Sequence, residues 1–329
     1  MPNKSHICHR MLPQKINPIF KQIKPGVTKL IWPRPLRNVF IAKKRDDDKV
    51  LSASRIFLKH VHENYNVNIM SSPYTHKELG LPFITPIENH SNIDLVVALG
   101  GDGTILRANK LFQIRPPPIL SISLGTLGFL LPFSFDQAQQ AFKDVYESNA
   151  YVTRRSRLLV QTPKRFLRAI NEVTIHRNGS PHLSQLNISV DGQYLTTTIA
   201  DGVAISTPTG STAYALSAGG PIVHPGLEGI LVVPICPRSL SFRPLLVPSA
   251  TALTISVDKG SRGELGVSID GGEIELLQKE QSVSIHADLS LSESVYCVSR
   301  GSETADWVSH VNGLLGFNSM FGQLHNRST

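Results

Sequence analysis

The apolar run Leu95-Val96-Val97-Ala98-Leu99 passes without a break into Gly100-Gly101-Asp102-Gly103-Thr104, and a segment of helical spacing follows over residues 105–112. A strand that stops at a glycine turn and restarts as a helix is a unit of a parallel α/β sheet, and the neighbouring chain fits that frame. Residues 38–42 read as a first strand. Residues 50–65 carry Leu51, Ile56, Phe57, Leu58 and Val61 at roughly helical intervals, and residues 67–70 read as a second strand. A polar loop is expected over residues 71–92. Residues 119–124 form a further strand ending in Gly125-Thr126-Leu127-Gly128-Phe129-Leu130, and residues 136–148 are expected to be helical. Ligands of such sheets sit at the carboxyl ends of the strands, where both glycine turns fall.

From about residue 151 the texture changes to short β-prone runs, at residues 158–160, 172–176, 186–190, 203–205, 230–233, 253–257, 266–269 and 283–285. Asp191-Gly192 and Asp270-Gly271, each set between two such runs, are hairpin signals. The expected architecture is α/β plus all-β. A Rossmann-like α/β domain spans 36–150, a mainly β, sandwich-like domain spans 151–300, and a tail spans 301–329. In that tail Trp307, Val308, Val311, Leu314 and Leu315 are spaced for a helix that packs back on the first domain.

Charge is unevenly placed. Residues 1–45 hold 11 of the 33 Lys and Arg and none of the 25 Asp and Glu, so residues 46–329 carry a net charge of −3. Basicity belongs to the leader rather than the body, which removes the main support for nucleic-acid binding by the folded part. An acid-free basic N-terminus has the composition of a mitochondrial transit peptide, here assigned to residues 1–35. Pro13, Pro18 and Pro25 and the scarcity of serine leave a plain basic tail as the other reading. Cys8, Cys236 and Cys297 form no CxxC pair, which fits a reducing compartment without a zinc site. No run of about 18 apolar residues is present, so no membrane span is expected.

The chemistry concentrates in two signatures. In the first, Gly100, Gly101 and Gly103 let backbone N–H groups approach phosphate oxygens beside a helix start. No Gly-Lys-Ser/Thr follows, so this is not a Walker A loop. Asp102 has two readings: a helix cap through its side chain, or a general base that takes a proton from a hydroxyl attacking a γ-phosphoryl group. Diacylglycerol and sphingosine kinases and phosphofructokinases carry similar turns. The second signature runs from Asp201 to Pro221 and contains Thr207-Pro208-Thr209-Gly210-Ser211-Thr212-Ala213-Tyr214 and Gly219-Gly220. Ser211 or Thr212 is placed to cap a short helix, and Tyr214 to stack on or hydrogen-bond a base.

In this order the two signatures resemble the NAD kinase family, over about residues 36–317. Asn171-Glu172 looks like that family's Asn-Glu pair. Residues 178–183, 234–244 and 314–319 look like its mitochondrial NADH kinase branch in yeasts. The resemblance implies ATP-dependent phosphorylation of the adenosine 2′-hydroxyl of NADH or NAD in the mitochondrial matrix, with Mg²⁺ accompanying ATP. It implies Asp102 as base, and Gly100, Gly101, Gly103 and Thr104 around ATP phosphates. Gly128, Phe129, Asn171, Glu172, Asp201, Thr209, Thr212, Ala213, Tyr214 and Ser217 would contact the dinucleotide. It also implies a homo-oligomer, a dimer or larger. Ile199 stands where NAD-preferring bacterial relatives often have a basic residue, which favours NADH. A dinucleotide sensor, a lipid kinase and a nucleic-acid binder are the rival readings.

Overall fold

The computed structural model describes residues 14–316, apart from residues 89, 126, 127, 240 and 302 and the side chain of Glu273. Residues 1–13 of the expected leader, Thr126 and Leu127 of the second glycine turn, and the tail from residue 317 lie outside the described residues.

A ten-stranded sheet forms the first domain. Its parallel centre runs, in spatial order, Val295–Ser299, Ile119–Ser123, Leu95–Gly100, Asn38–Lys43, Asn68–Ser71 and Ile84–Pro86. All six residues of Leu95–Gly100 and of Asn38–Lys43 are buried, as expected of strands covered by helices on both faces. Strand order reverses between these two strands, and the crevice at such a reversal is where open α/β sheets bind ligands. The expected helices are present as Asp48–Asn64, Asp102–Leu111 and, after a single 3-10 turn, Ala138–Tyr146.

The structure differs from the sequence expectation at three places. The first is the polar loop over 71–92, which holds a helix, Pro73–Leu79, and the strand Ile84–Pro86. Ser72 caps that helix, Pro73 opens it and Gly80, at φ +61°, closes it. The second is the leader. Ile19–Lys24 and Val27–Ile31 form a hairpin whose second strand pairs with Tyr151–Arg155. Ile16, Leu30 and Trp32 are buried in the first domain's core, and Trp32 Nε1 donates to the Val145 carbonyl at 2.8 Å. Lys21, Lys24 and Lys29 give this stretch a leader's composition, while Val27 and Leu30 are buried as the second strand extends the sheet. The third is the division at 151 and 300. Tyr151–Arg155 and Val295–Ser299 both belong to the first sheet, so the chain leaves the first domain at Arg157 and returns after Asp288.

Between those points two six-stranded sheets, antiparallel throughout, pack as a sandwich. Alternate residues such as Val173, Ile175, Val203, Ile205, Leu186, Ile188, Ile255 and Ile285 fill its core. Asp191-Gly192 and Asp270-Gly271 turn the expected hairpins, each residue at positive φ as a two-residue primed turn requires. Glu303–Leu315 is helical and lies over the junction of the domains. Glu303 faces Arg155 of the first sheet, and Trp307 makes an edge contact with His224 of the second domain.

Arg157 joins the two domains. Its side chain is fully buried, and it donates to Asn109 Oδ1, the Phe112 and Gln113 carbonyls and the Glu293 carbonyl, with Glu293 Oε2 at 3.4 Å. Replacement by Met should leave those acceptors unpaired and cost about 3–5 kcal/mol, read as a clear drop in Tm; an unchanged Tm would show the domains to be held otherwise. A chain beginning at Leu36 should melt below one beginning at residue 14. Loss of Leu30 and Trp32 burial alone removes about 1.5–3 kcal/mol each, and equal melting temperatures would mark the hairpin as peripheral.

Candidate active site

Gly100 ends its strand at φ +146°, and a Cβ there would lie 2.8 Å from both Lys44 Cβ and Thr104 Oγ1. Glycine at this position is demanded by the protein's own packing, and the same contact puts Thr104 inside the turn, where it is buried. Gly101 and Gly103 are different. A Cβ at either meets nothing within 4 Å, so the protein leaves open space above the turn for something else to approach.

Gly101 takes the N-cap position of the Asp102–Leu111 helix with no side-chain cap, so Asp102 is not a capping residue. Its carboxylate points across the crevice, where Oδ2 accepts the Phe129 N–H at 3.0 Å and Oδ1 the Leu130 N–H at 3.1 Å. A Cβ on Gly128 would overlap this carboxylate; the second glycine turn is thereby shaped around the acid of the first. Burial pushes the Asp102 carboxyl above its ordinary range, while the two N–H donors and the Arg155 charge pull it back.

The second domain meets this turn through Ile170, buried in one cluster with Ile105, Ala108 and Leu130. Directly after it, the N–H groups of Ile170, Asn171 and Glu172 all donate to Asp270, at 3.0, 2.8 and 3.3 Å. Asp270 is therefore more than a hairpin residue, since it fixes the Asn171-Glu172 pair. Glu172 is buried beside it, and Oε2 has no hydrogen-bond partner. Burial, and then the Asp270 charge, push the Glu172 carboxyl up to about 7.

The Thr207–Pro221 stretch lies on the outer face of the sheet that carries Glu172. Thr209–Thr212 is a 3-10 turn and Tyr214–Ser217 a single helical turn. Ser211 donates to the Pro208 and Val223 carbonyls and Thr212 to that of Thr209, so neither caps the helix. Gly210 packs against the Asn171 backbone so closely that no Cβ fits. What remains open is a groove of about 290 Å³ lined by Glu172, Thr174, His176, Tyr214, Ser268 and Gly271. Thr209 and Thr212 face Phe129 and Leu130 across a smaller void of about 20 Å³. Ala213 joins the two turns, and Ser217 is exposed at the end of its helix.

Asp201 stands apart. Glu172 pairs with Ser206 and His176 with Gly202, so Asp201 lies at the opposite end of this strand pair from Glu172. Arg177 Nε holds it at 2.7 Å.

Several residues escaped the sequence reading. Lys44 donates its N–H to the Leu99 carbonyl, Arg107 donates to the Lys43 carbonyl, and Arg45 lies near Arg107 and over the Tyr74 ring. These cations flank the glycine turn. Their place at the end of the first strand was a usable signal, masked when Lys43, Lys44 and Arg45 were counted with the leader. Arg155 and His310 had no local signal at all.

Comparison with known proteins agrees with this geometry. The ATP-NAD kinase N-terminal domain matches residues 50–151 and the ATP-NAD kinase C-terminal domain residues 170–290. The chain is 40% identical over 328 residues to the mitochondrial NADH kinase pos5 of Schizosaccharomyces pombe, covering 94% of this chain and 84% of that protein. It is 38% identical over 346 residues to the mitochondrial NADH kinase POS5 of Saccharomyces cerevisiae, covering 89% and 83%. The crystal structure of yeast NADH kinase complexed with NADH superposes with a TM-score of 0.87 at 38% identity, over 94% of this chain and 96% of that one. An NAD kinase from Archaeoglobus fulgidus in complex with ATP gives 0.63 at 25% identity, over 85% and 97%. With both domains matched and the fold shared, the chain belongs to the ATP-NAD kinase family.

Proposed function

We propose that this protein is a mitochondrial NADH kinase that transfers the γ-phosphoryl group of ATP to the adenosine 2′-hydroxyl of NADH, and of NAD, supplying NADPH and NADP. One observation carries the mechanism. Asp102 is fixed by the Phe129 and Leu130 N–H groups at the strand-order reversal, beside two glycines that leave room for a ligand. Phosphoryl transfer needs positioning, charge neutralisation and one group to take the hydroxyl proton. Asp102 takes that proton. The Gly101 and Gly103 backbone, with Lys44 and Arg107 beside it, would receive the ATP phosphates, and those phosphates would hold Mg²⁺, which would neutralise their charge. Asn171 and Glu172 hold ribose hydroxyls. Phe129, Thr209, Thr212, Ala213, Tyr214 and Ser217 shape the dinucleotide pocket, and Asp201 with Arg177 marks its far end. The mitochondrial site follows from the two relatives of that location, and a homo-oligomer remains part of the proposal, to be read by light scattering.

The direct test is steady-state turnover with Mg-ATP, comparing NADH and NAD as acceptors. Formation of NADPH sustains the reading, and binding of NADH without product would make the protein a sensor. Asp102→Asn should lower kcat by about 10²–10⁴-fold with NADH affinity retained; a smaller loss would remove Asp102 as base. Because the carboxyl is raised, the acid limb of kcat/KM should fall at higher pH than for an ordinary carboxylate.

Glu172 yields a stability prediction of defined sign. Its carboxyl rises from 4.5 to about 7 on folding, so the folded chain binds this proton more tightly than the unfolded chain. This group's contribution to stability is fully present below pH 4.5 and is lost as pH rises through about 7, by about 3 kcal/mol in total. Glu172→Gln should therefore raise Tm at pH 8 and leave it nearly unchanged at pH 5, while weakening NADH binding. Equal shifts at both pH values would exclude the buried charge as the cause.

A further inference from the structure

Among the described residues, five of the eleven buried side-chain N and O atoms without a hydrogen-bond partner lie at one place. Arg155 Nε, Ser299 Oγ, Glu303 Oε1, Trp307 Nε1 and His310 Nε2 all lie where the C-terminal helix covers the Asp102 loop. A buried polar atom left unpaired is costly, so a group of them beside the Asp102 loop points to a ligand. His310 is 3% exposed and lines both voids at this place, one of about 20 Å³ and one of about 10 Å³. Arg155 Nη1 and Glu303 Oε1 stand 3.7 Å apart, too far for a hydrogen bond, with both side chains largely buried. The wall opposite carries Thr209 and Thr212.

We propose that this void is a subsite for a phosphate group of the bound nucleotides, with Arg155 as its cation, His310 and Trp307 as neutral donors, and Glu303 occupying the place of the anion when no nucleotide is present. A guanidinium is suited to phosphate oxygens by its planar fork of donors. The loose Arg155–Glu303 contact is the weaker alternative that a phosphate displaces. The voids as they stand hold water but not a phosphate group, so the Glu303 side chain leaves on binding. His310 is held neutral by burial, with Asp306 opposing and Arg300 and Arg155 reinforcing that effect. It adds a donor without adding charge.

The inference rests on nucleotide binding in this cleft and not on turnover, so it is tested by calorimetry on the full chain. ATP, NADH, inorganic tripolyphosphate and adenosine are titrated separately, and thermal melts report folding. Arg155→Gln should weaken tripolyphosphate binding about 10–100-fold with adenosine binding unchanged, and Arg155→Lys should restore part of it. His310→Ala should act in the same direction. Glu303→Gln should tighten tripolyphosphate binding, a gain that misfolding cannot produce. Among the nucleotides, a loss confined to ATP assigns the subsite to the triphosphate, and one confined to NADH assigns it to the dinucleotide's diphosphate; either supports the proposal. Unchanged tripolyphosphate affinity in Arg155→Gln and Glu303→Gln, or an equal loss of adenosine, overturns it. A wild-type chain that shows this pattern yet forms no NADPH refutes the kinase reading alone.

Discussion

The Arg157 guanidinium sets the relation between the two domains. It leaves the second domain's first strand and enters the first domain, where it satisfies the carboxyl-terminal end of the helix that starts at Asp102. The other end of that helix carries the Asp102 carboxylate. A single rigid element about 15 Å long thus has the proposed base at one end and its anchor to the second domain at the other. The cost is visible in Arg157 itself, whose burial pushes it down to about 10, with Arg168 adding to the effect and Glu293, Asp288 and Asp270 opposing it. A buried charge of this kind is weak evidence for stability but strong evidence for a defined arrangement, because most of its hydrogen bonds are made only in one relative placement of the two domains.

That anchoring explains which parts of the fold were legible in the sequence. The glycine turn at 100–103, the long helices and the buried strands carry uniform patterns over many residues, and they lie where expected. The N-terminal hairpin was hidden because its first strand is exposed along nearly all its length, Lys21 and Lys24 included, and its burial depends on a partner, Tyr151–Arg155, more than a hundred residues away. The Pro73–Leu79 helix is too short to show a period, yet its Ser72, Pro73 and Gly80 punctuation was in plain sight. The returning strand Val295–Ser299 looks like any other β run, and nothing local says which sheet it joins.

The candidate site divides in the same way. Asp102, Asn171, Glu172 and the Thr207–Tyr214 stretch stand out because they occur in compact runs. Glycines are partly legible: Gly128 stood in a recognisable turn, but the reason for it, the Asp102 carboxylate filling the space of its Cβ, is a contact across 26 residues of chain. Asp270 reads in the sequence as a weaker site candidate or a hairpin residue, and in the structure it is the acceptor that aligns Asn171 and Glu172. Arg155 and His310 come together only when the chain's last described helix returns to the cleft, and no sequence interval records that.

A carboxylate among phosphates is unfavourable unless its charge has a use, and the geometry around Asp102 shows how both demands are met. Each oxygen accepts one backbone N–H, which spreads the charge without contributing a proton or a movable side chain. A carboxylate oxygen has two acceptor sites, so one remains on each side for a substrate hydroxyl. Burial raises the proton affinity of the carboxyl, the direction that suits a base, and the N–H bonds and Arg155 limit that rise. Removing either influence spoils the balance. Burial draws a proton towards the carboxylate, and the donors draw it away. Phe129 and Leu130 can hold those donors in place only because the preceding residue has no side chain, so the acidity of one turn is set by a glycine in the other.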